Sequence, residues 1–244
     1  MKVFVIMPAA GLGTRMATRT PLVAPGKKSA PSKQFTELAG TPILIHTLRK
    51  FAAVPSVAEI WVALRQSEIA GFRARLENEA PDILQKRVEL VEGGEHRQQS
   101  VANALNAITA ADDDIVLVHD AVRPLVTPEI IEDVLHATEK HGAAIAGLPA
   151  VDTVKQVERT SECAIIHTTI PRASVVLAQT PQGFRYGLLK KAFDDAAADG
   201  FLGTDEASLL ERAGLPVAVV MGSPRNIKIT APADMELAEF YLKK

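Results

Sequence analysis

The chain has 244 residues, of which 47% are hydrophobic and 23% charged, and its formal net charge is -2. That size can bury the core of one α/β domain or two small ones, and the charge excludes the blanket positive field that draws proteins to nucleic acid or anionic lipid. A single cysteine, Cys163, excludes an internal disulfide framework and CxxC metal spacings, and points to a reducing compartment.

In chain order, Lys2 to Met7 is Val/Ile/Phe-rich and stops at Pro8, which predicts a short buried strand. It runs into a glycine-rich turn, Ala9 to Arg15. It does not continue into the roughly 18 apolar residues of a spanning helix or into a cleavage site. The protein is therefore expected in the cytoplasm, with no membrane and no nucleic-acid partner. Thr20 to Ser32 (TPLVAPGKKSAPS) is the richest breaker region and is predicted to be a mobile loop. Glu37 to Thr41 is a second turn, and Pro42 opens a helix to about Phe51. A strand is predicted at Glu59–Leu64, a helix at Ser67–Glu79 and a strand at Val88–Val91. A helix at Ser100–Ile108, with Val101, Leu105 and Ile108 on one face, is followed by a strand at Ile115–Val118. The helix Glu129–Lys140 has Thr127 as its N-cap and Pro128 in the first turn. A strand at Ala143–Leu148 completes the alternation, which implies a mostly parallel sheet covered on both faces.

The pattern then changes. Val151 to Ala178 carries two β-like runs, VDTVKQVE and CAIIHTTI, with no crossover helix between them, as in a projecting hairpin or arm. Helical spacing returns at Tyr186–Ala197 and Asp205–Ala213. Val217–Met221 is a last strand, and Pro232–Lys243 a short amphipathic helix.

Four places carry chemistry. At Ala9–Arg15 (AAGLGTR), a strand running into small residues lets backbone N–H groups approach a phosphate, and Arg15 matches phosphate oxygens. Only part of a dinucleotide fingerprint is present, so a plain tight turn is the alternative. Lys33, in APSKQF, is either a phosphate ligand or one surface lysine among several. In HDAVRP (119–124), at the carboxyl end of a strong strand, Asp120 is placed to hold Mg²⁺ or to cap the next turn. His119 has no HExxH or Cys/His companions and reads as packed and hydrogen-bonded, not as a zinc ligand. In PRNIKIT (224–230), Arg225 and Lys228 are either phosphate ligands or part of a solvated face. G-x-S-x-G is absent, and Cys163, in an apolar stretch, reads as a buried structural cysteine.

Taken together, PAAGLGTRM at 8–16, KQF at 33–35, GG at 93–94, HDAVRP at 119–124, DT at 152–153, AQTPQGF at 178–184, TDEASLLE at 204–211, NIKIT at 226–230 and LAEFYL at 237–242 make the chain resemble one family over nearly its full length. It is that of the 2-C-methyl-D-erythritol 4-phosphate cytidylyltransferases of the non-mevalonate isoprenoid pathway.

The resemblance implies a Rossmann-like nucleotidyltransferase fold in a single domain, 1–244, with a dimerisation arm at about 151–178. It implies CTP and a sugar-alcohol phosphate as substrates, Mg²⁺ as cofactor and a homodimer with exchanged arms. By the same resemblance Ala9, Ala10, Gly11, Gly13, Gly94, Glu95 and Ser100 hold the nucleotide, and Arg15, Lys33 and Lys228 carry the catalytic positive charge. Asp120 serves the metal, Arg123 supports its loop, Thr180 and Thr204 line the alcohol-phosphate pocket, and Thr153 and Arg172 reach that pocket from the partner's arm. The chain departs from the family pattern in three places. A long insert separates Arg15 from Lys33, Glu95 replaces a commoner aspartate, and the arm reads HTTIPR where an aspartate more often precedes the arginine. The rival readings are a ribitol 5-phosphate cytidylyltransferase, a catalytically inactive nucleotide-binding regulator, and a Rossmann dehydrogenase, which would need a fuller glycine pattern.

Overall fold

A computed structural model describes residues 1–11 and 32–243. Gly13, Arg15 and the breaker-rich insert up to Pro31 lie outside the described residues. The strands are β1 (Val3–Pro8), β2 (Glu37–Leu38), β3 (Thr41–Pro42), β4 (Val57–Leu64), β5 (Arg87–Glu92), β6 (Ile115–Val118), β7 (Ala143–Pro149), β8 (Val154–Arg159), β9 (Ala164–Ile170), β10 (Val176–Arg185) and β11 (Ala218–Met221). The helices are α1 (Ile43–Ala52), α2 (Gln66–Glu79), α3 (Arg97–Ala107), α4 (Pro128–His141), α5 (Tyr186–Ala198), α6 (Glu206–Arg212) and α7 (Pro232–Leu242).

Seven strands form one sheet in the order β11-β7-β10-β6-β1-β4-β5. Only β10 runs against its neighbours, antiparallel to both β6 and β7. The alternation within β1 shows how the sequence builds three layers. Val3, Val5 and Met7 face one core with Leu44, Leu48, Phe72 and Ile131 of α1, α2 and α4. Phe4 and Ile6 face the other, with Val101, Leu105, Phe193 and Leu210 of α3, α5 and α6. A strand buried on both faces has no polar side, hence the unbroken apolar run. α4 has the predicted start signals: Thr127 Oγ1 accepts from the Ile130 N–H and Pro128 begins the helix; Gly142, in the left-handed region at φ 85°, closes it.

Three places differ from expectation. Glu37 to Thr41, read as a turn, and Pro42, read as the helix start, form the antiparallel pair β2–β3, and α1 starts at Ile43 with Pro42 as its N-cap. α3 begins at Arg97, not Ser100, because its first turn, Arg97-Gln98-Gln99, is polar and hides the apolar periodicity. β10 enters the sheet at Val176, within the span read as the arm. Pro181 and Gly183 argue against a central strand, but the pairing with β7 shifts register between Ala178 and Gln182, where a proline is tolerated. The two-stranded sheet of β8 and β9 stands apart, with Ile165 and Ile166 58% and 60% exposed. Cys163, in the turn joining these strands, is exposed and not the buried cysteine expected. The apolar residues around it cover no core, and Thr160 Oγ1 accepts from its N–H at 3.1 Å.

Candidate active site

Chain order places the site. β4 and β5 extend the sheet on one side of β1, and the chain then returns to add β6 on the other. Such a reversal opens a crevice beyond the carboxyl ends of the strands. Backbone bonds fix the three segments that border it: Ala9 N–H donates to Ala63 O at 2.8 Å, Gly93 N–H to Leu64 O at 2.7 Å and His119 N–H to Ile6 O at 2.9 Å. The turn after β5 lies so close to the turn after β1 that a Cβ on Gly93 would collide with Ala10. Only glycine permits that approach.

Two cavities open there. The first is lined by Ala9, Ala10 and Gly11, by Gly94, Glu95 and Ser100, and by Lys33, Asp120 and Lys228. Ser100 is buried, and its Oγ accepts from the Gly94 N–H at 3.0 Å. The second cavity is lined by Arg123, Thr180 and Thr204, and again by Asp120 and Lys228. The fold therefore gathers the described site residues named from the sequence except Arg225, which is exposed with its guanidinium 5.4 Å from the Tyr241 ring centroid, and Thr153 and Arg172. Thr153 and Arg172 are exposed on the arm and line neither cavity, and Arg172 Nη1 donates to Val151 O at 2.8 Å.

Asp120 is the hub. Its Oδ1 accepts from Arg97 Nε at 3.3 Å, and its Oδ2 is 2.9 Å from Lys228 Nζ and 3.2 Å from Arg123 Nε. Burial opposes its ionisation, but the charges of Arg97, Lys228 and Arg123 outweigh burial and hold the carboxyl well below the usual range. It is an anion throughout the physiological range. Its N–H donates to Thr180 Oγ1 at 3.0 Å, and that hydroxyl is 3.1 Å from His119 Nδ1. His119 is fully buried, packs against Phe51 at 4.7 Å between ring centroids, and has Nε2 3.1 Å from Arg123 O. Burial pushes its pKa down to about 4, so the ring is neutral at pH 7. It is packed and hydrogen-bonded, as expected.

Among the described residues no group of three His, Cys, Asp or Glu could hold a metal ion. Asp120 is the one carboxylate that borders both cavities, and it is already ringed by cations. Mg²⁺ commonly takes one or two carboxylates and completes its shell with phosphate oxygens and water. Asp120 therefore fits a metal shared with a triphosphate, not a cage built by the protein alone.

Sequence reasoning passed over three residues of this crevice. Gln34 is buried and its Nε2 donates to Ala9 O at 2.5 Å, tying the Lys33 turn to the glycine-rich turn. Arg97 lines both cavities. Glu206, buried with Arg97 as its partner, stood in the quoted TDEASLLE run, where an acid beside Ala207, Leu209 and Leu210 on an apolar helix face was the available signal.

A parallel-type sheet with a glycine-lined crevice at its carboxyl edge, and a carboxylate ringed by cations between two cavities, defines a nucleotidyltransferase of Rossmann-like fold. The sequence profile of the 2-C-methyl-D-erythritol 4-phosphate cytidylyltransferases matches residues 3–244. A relative of that description from Acidobacterium capsulatum is 58% identical, covering 100% of this chain and 98% of its own. The crystal structure of the Francisella tularensis 2-C-methyl-D-erythritol 4-phosphate cytidylyltransferase superposes with a TM-score of 0.80 at 36% identity, over 98% of this chain and 99% of that one. A 4-diphosphocytidyl-2C-methyl-D-erythritol synthase structure from Anaerococcus prevotii gives 0.81 at 28% identity, over 100% and 96%. The chain belongs to the 2-C-methyl-D-erythritol 4-phosphate cytidylyltransferase family. It is an enzyme with that family's activity, cytidylyl transfer in isoprenoid-precursor synthesis.

Proposed function

We propose that CTP occupies the first cavity and the phosphate of methylerythritol phosphate the second, and that the transfer takes place where the two meet. The observation that carries this reading is that Asp120 and Lys228 border both cavities. The acceptor's phosphate oxygen attacks the α-phosphorus of CTP in line. The bond from that phosphorus to the bridging oxygen breaks, and pyrophosphate leaves with the electron pair. The attacking oxygen is already anionic near neutral pH, so no strong general base is required. The enzyme must align two mutually repelling anions and neutralise their charge.

The Ala9–Gly11 turn, with Gly94, Glu95 and Ser100, holds the nucleotide. Lys33 and Lys228 supply positive charge, and Arg15 and Gly13 are assigned to the same task and turn by their motif alone. Arg123, Thr180 and Thr204 form the acceptor pocket. Asp120, with the CTP phosphates, would hold Mg²⁺, which supplies further charge neutralisation at the triphosphate.

The enzyme acts as a homodimer in the cytoplasm, each arm bringing Thr153 and Arg172 to its partner's acceptor pocket. Exposed Val151, Ile165, Ile166 and Leu177 support an arm that needs a surface to cover it. No helix among the described residues is long and apolar enough to cross a membrane.

The test is pyrophosphate release from CTP and Mg²⁺ with methylerythritol phosphate and with ribitol 5-phosphate as acceptors. Methylerythritol phosphate should give the higher kcat/KM. A preference for ribitol phosphate would reassign the acceptor, and no release with either would remove the catalytic reading.

A further inference from the structure

One ion pair at the junction of the cavities, Arg97 with Glu206, has no part in the chemistry above. Arg97 opens α3, and its guanidinium is shared between two acids. Nη1 donates to both oxygens of Glu206, at 2.7 and 2.9 Å, while Nε donates to Asp120 Oδ1 at 3.3 Å. Glu206 is only 1% exposed. It opens α6, where Asp205 Oδ1 caps the helix by accepting from the Ser208 N–H at 3.0 Å. The same turn is bonded to β10: Gln182 Nε2 donates to Asp205 Oδ2 at 2.8 Å, and Gln182 Oε1 accepts from the Ala207 N–H at 3.2 Å. Glu206 therefore sits on a fixed support and holds the Arg97 guanidinium at its Nη1 nitrogen.

A buried acid is costly by itself, and a buried ion pair often contributes no more stability than apolar residues of similar volume. What the pair adds is direction: with Nη1 held by Glu206, the rigid planar guanidinium turns its Nε toward Asp120. The aim falls on Asp120, whose two oxygens are divided. Oδ1 goes to Arg97, and Oδ2 goes to Lys228 and Arg123. Held at both oxygens, the carboxylate cannot turn, and Oδ2 keeps facing Lys228. Released at Oδ1, it is held at Oδ2 alone and can swing about that oxygen, so it no longer fixes the place of the Lys228 ammonium.

We propose, on the reading of the two cavities given above, that Arg97 is a positioning residue for the transfer: clamped by Glu206, it orients Asp120 and thereby sets the Lys228 ammonium at the junction of the cavities. Lys228 is the side chain that meets the reacting groups, and Arg97 acts through it. Glu206 acts one step further back.

The test uses the full-length enzyme and compares wild type with Arg97→Ala, Arg97→Lys and Glu206→Gln. The readouts are kcat, CTP dissociation measured without turnover by calorimetry, and thermal unfolding. Arg97→Ala should lower kcat about 10- to 100-fold, the scale of a small misplacement of a reacting group, while CTP affinity changes far less. Because Arg97 opens on both cavities, millimolar guanidinium chloride should restore part of the lost turnover saturably, and methylammonium should not. Arg97→Lys keeps a cation for folding but cannot grip both acids, so its kcat should also fall. The double variant Arg97→Ala/Glu206→Gln should be no worse than Arg97→Ala, because both changes break one linkage. The proposal is overturned if Arg97→Lys turns over like wild type, or if the loss in either Arg97 variant lies in CTP affinity. It is equally overturned if folded Arg97→Ala shows no response to guanidinium. Wild-type turnover is measured alongside, and its absence would count against the two-cavity reading itself, not against the role of Arg97.

Discussion

Replacing Lys228 with alanine separates catalysis from folding. Lys228 Nζ is 2.9 Å from Asp120 Oδ2, and its side chain is 37% exposed. After the substitution Asp120 still has Arg97 at 3.3 Å and Arg123 at 3.2 Å, so no buried charge is left alone. A partly exposed ion pair of this kind contributes about 1 kcal/mol or less, and the unfolding midpoint in urea should move little. The effect on turnover is of another size. A donor aimed at charge that develops in the transition state contributes about 10²- to 10³-fold in kcat, or about 2.7–4 kcal/mol. Lys228→Ala should lose that much with CTP and methylerythritol phosphate both saturating, with circular dichroism and unfolding close to wild type. Turnover within about threefold of wild type, or a loss of stability as large as the loss of activity, would refute the role given to Lys228.

Asp120→Asn should be the more destabilising change, by about 3 kcal/mol, because it strips three neighbouring cations of a shared partner. It should also raise the Mg²⁺ concentration for half-maximal rate; urea unfolding and a Mg²⁺ titration check the two effects, and an unchanged titration would leave Asp120 a structural anchor only. Arm exchange predicts complementation. A heterodimer of Lys228→Ala and Arg172→Ala subunits has one site with both defects and one with neither, so it should regain about half of wild-type activity, whereas arms serving their own subunit give none. Asp114 accepts from the N–H groups of Lys2 at 2.7 Å and Ala111 at 2.9 Å, and the first of these bonds chiefly holds its pKa below the ordinary 3.8. Asp114→Asn should cost about 1–2 kcal/mol at pH 7. With a depressed folded pKa the wild-type advantage is fully present above the unfolded value and lost as pH falls through the folded one. The two proteins' unfolding free energies should converge in acid, and a gap unchanged with pH would show that the charge of Asp114 plays no part.

Much of the fold was legible because each sheet strand that obeys a simple burial pattern announces itself. β1 and β6 are continuous apolar runs with buried faces on both sides, and α4 carries a Thr-Pro start and a glycine stop. β10 was not legible, since AQTPQGF mixes polar, proline and glycine residues. Its place is set by the β-bulge and by bonds such as Asn226 Nδ2 to Thr180 O at 2.8 Å, which join distant parts of the chain. The site shows the same division. Asp120, Lys228 and the glycine turn stand in contiguous motifs at strand ends. The link from Glu206 through Arg97 to Asp120 joins residues 109 and 23 positions apart, and no local spacing encodes it. Cys163 was misread for a related reason: an apolar stretch says that a surface must be covered, but not that this chain covers it.

The most direct test of the account follows an oxygen atom. Methylerythritol phosphate labelled with ¹⁸O in its phosphate is turned over with unlabelled CTP, and ³¹P NMR locates the label in the products. Attack by the acceptor's phosphate on the α-phosphorus predicts that all of the label stays in the diphosphate of the cytidine diphosphate alcohol, part of it in the bridge, and that pyrophosphate carries none. Label in pyrophosphate, or a bridge free of ¹⁸O, would contradict the transfer proposed at the junction of the two cavities.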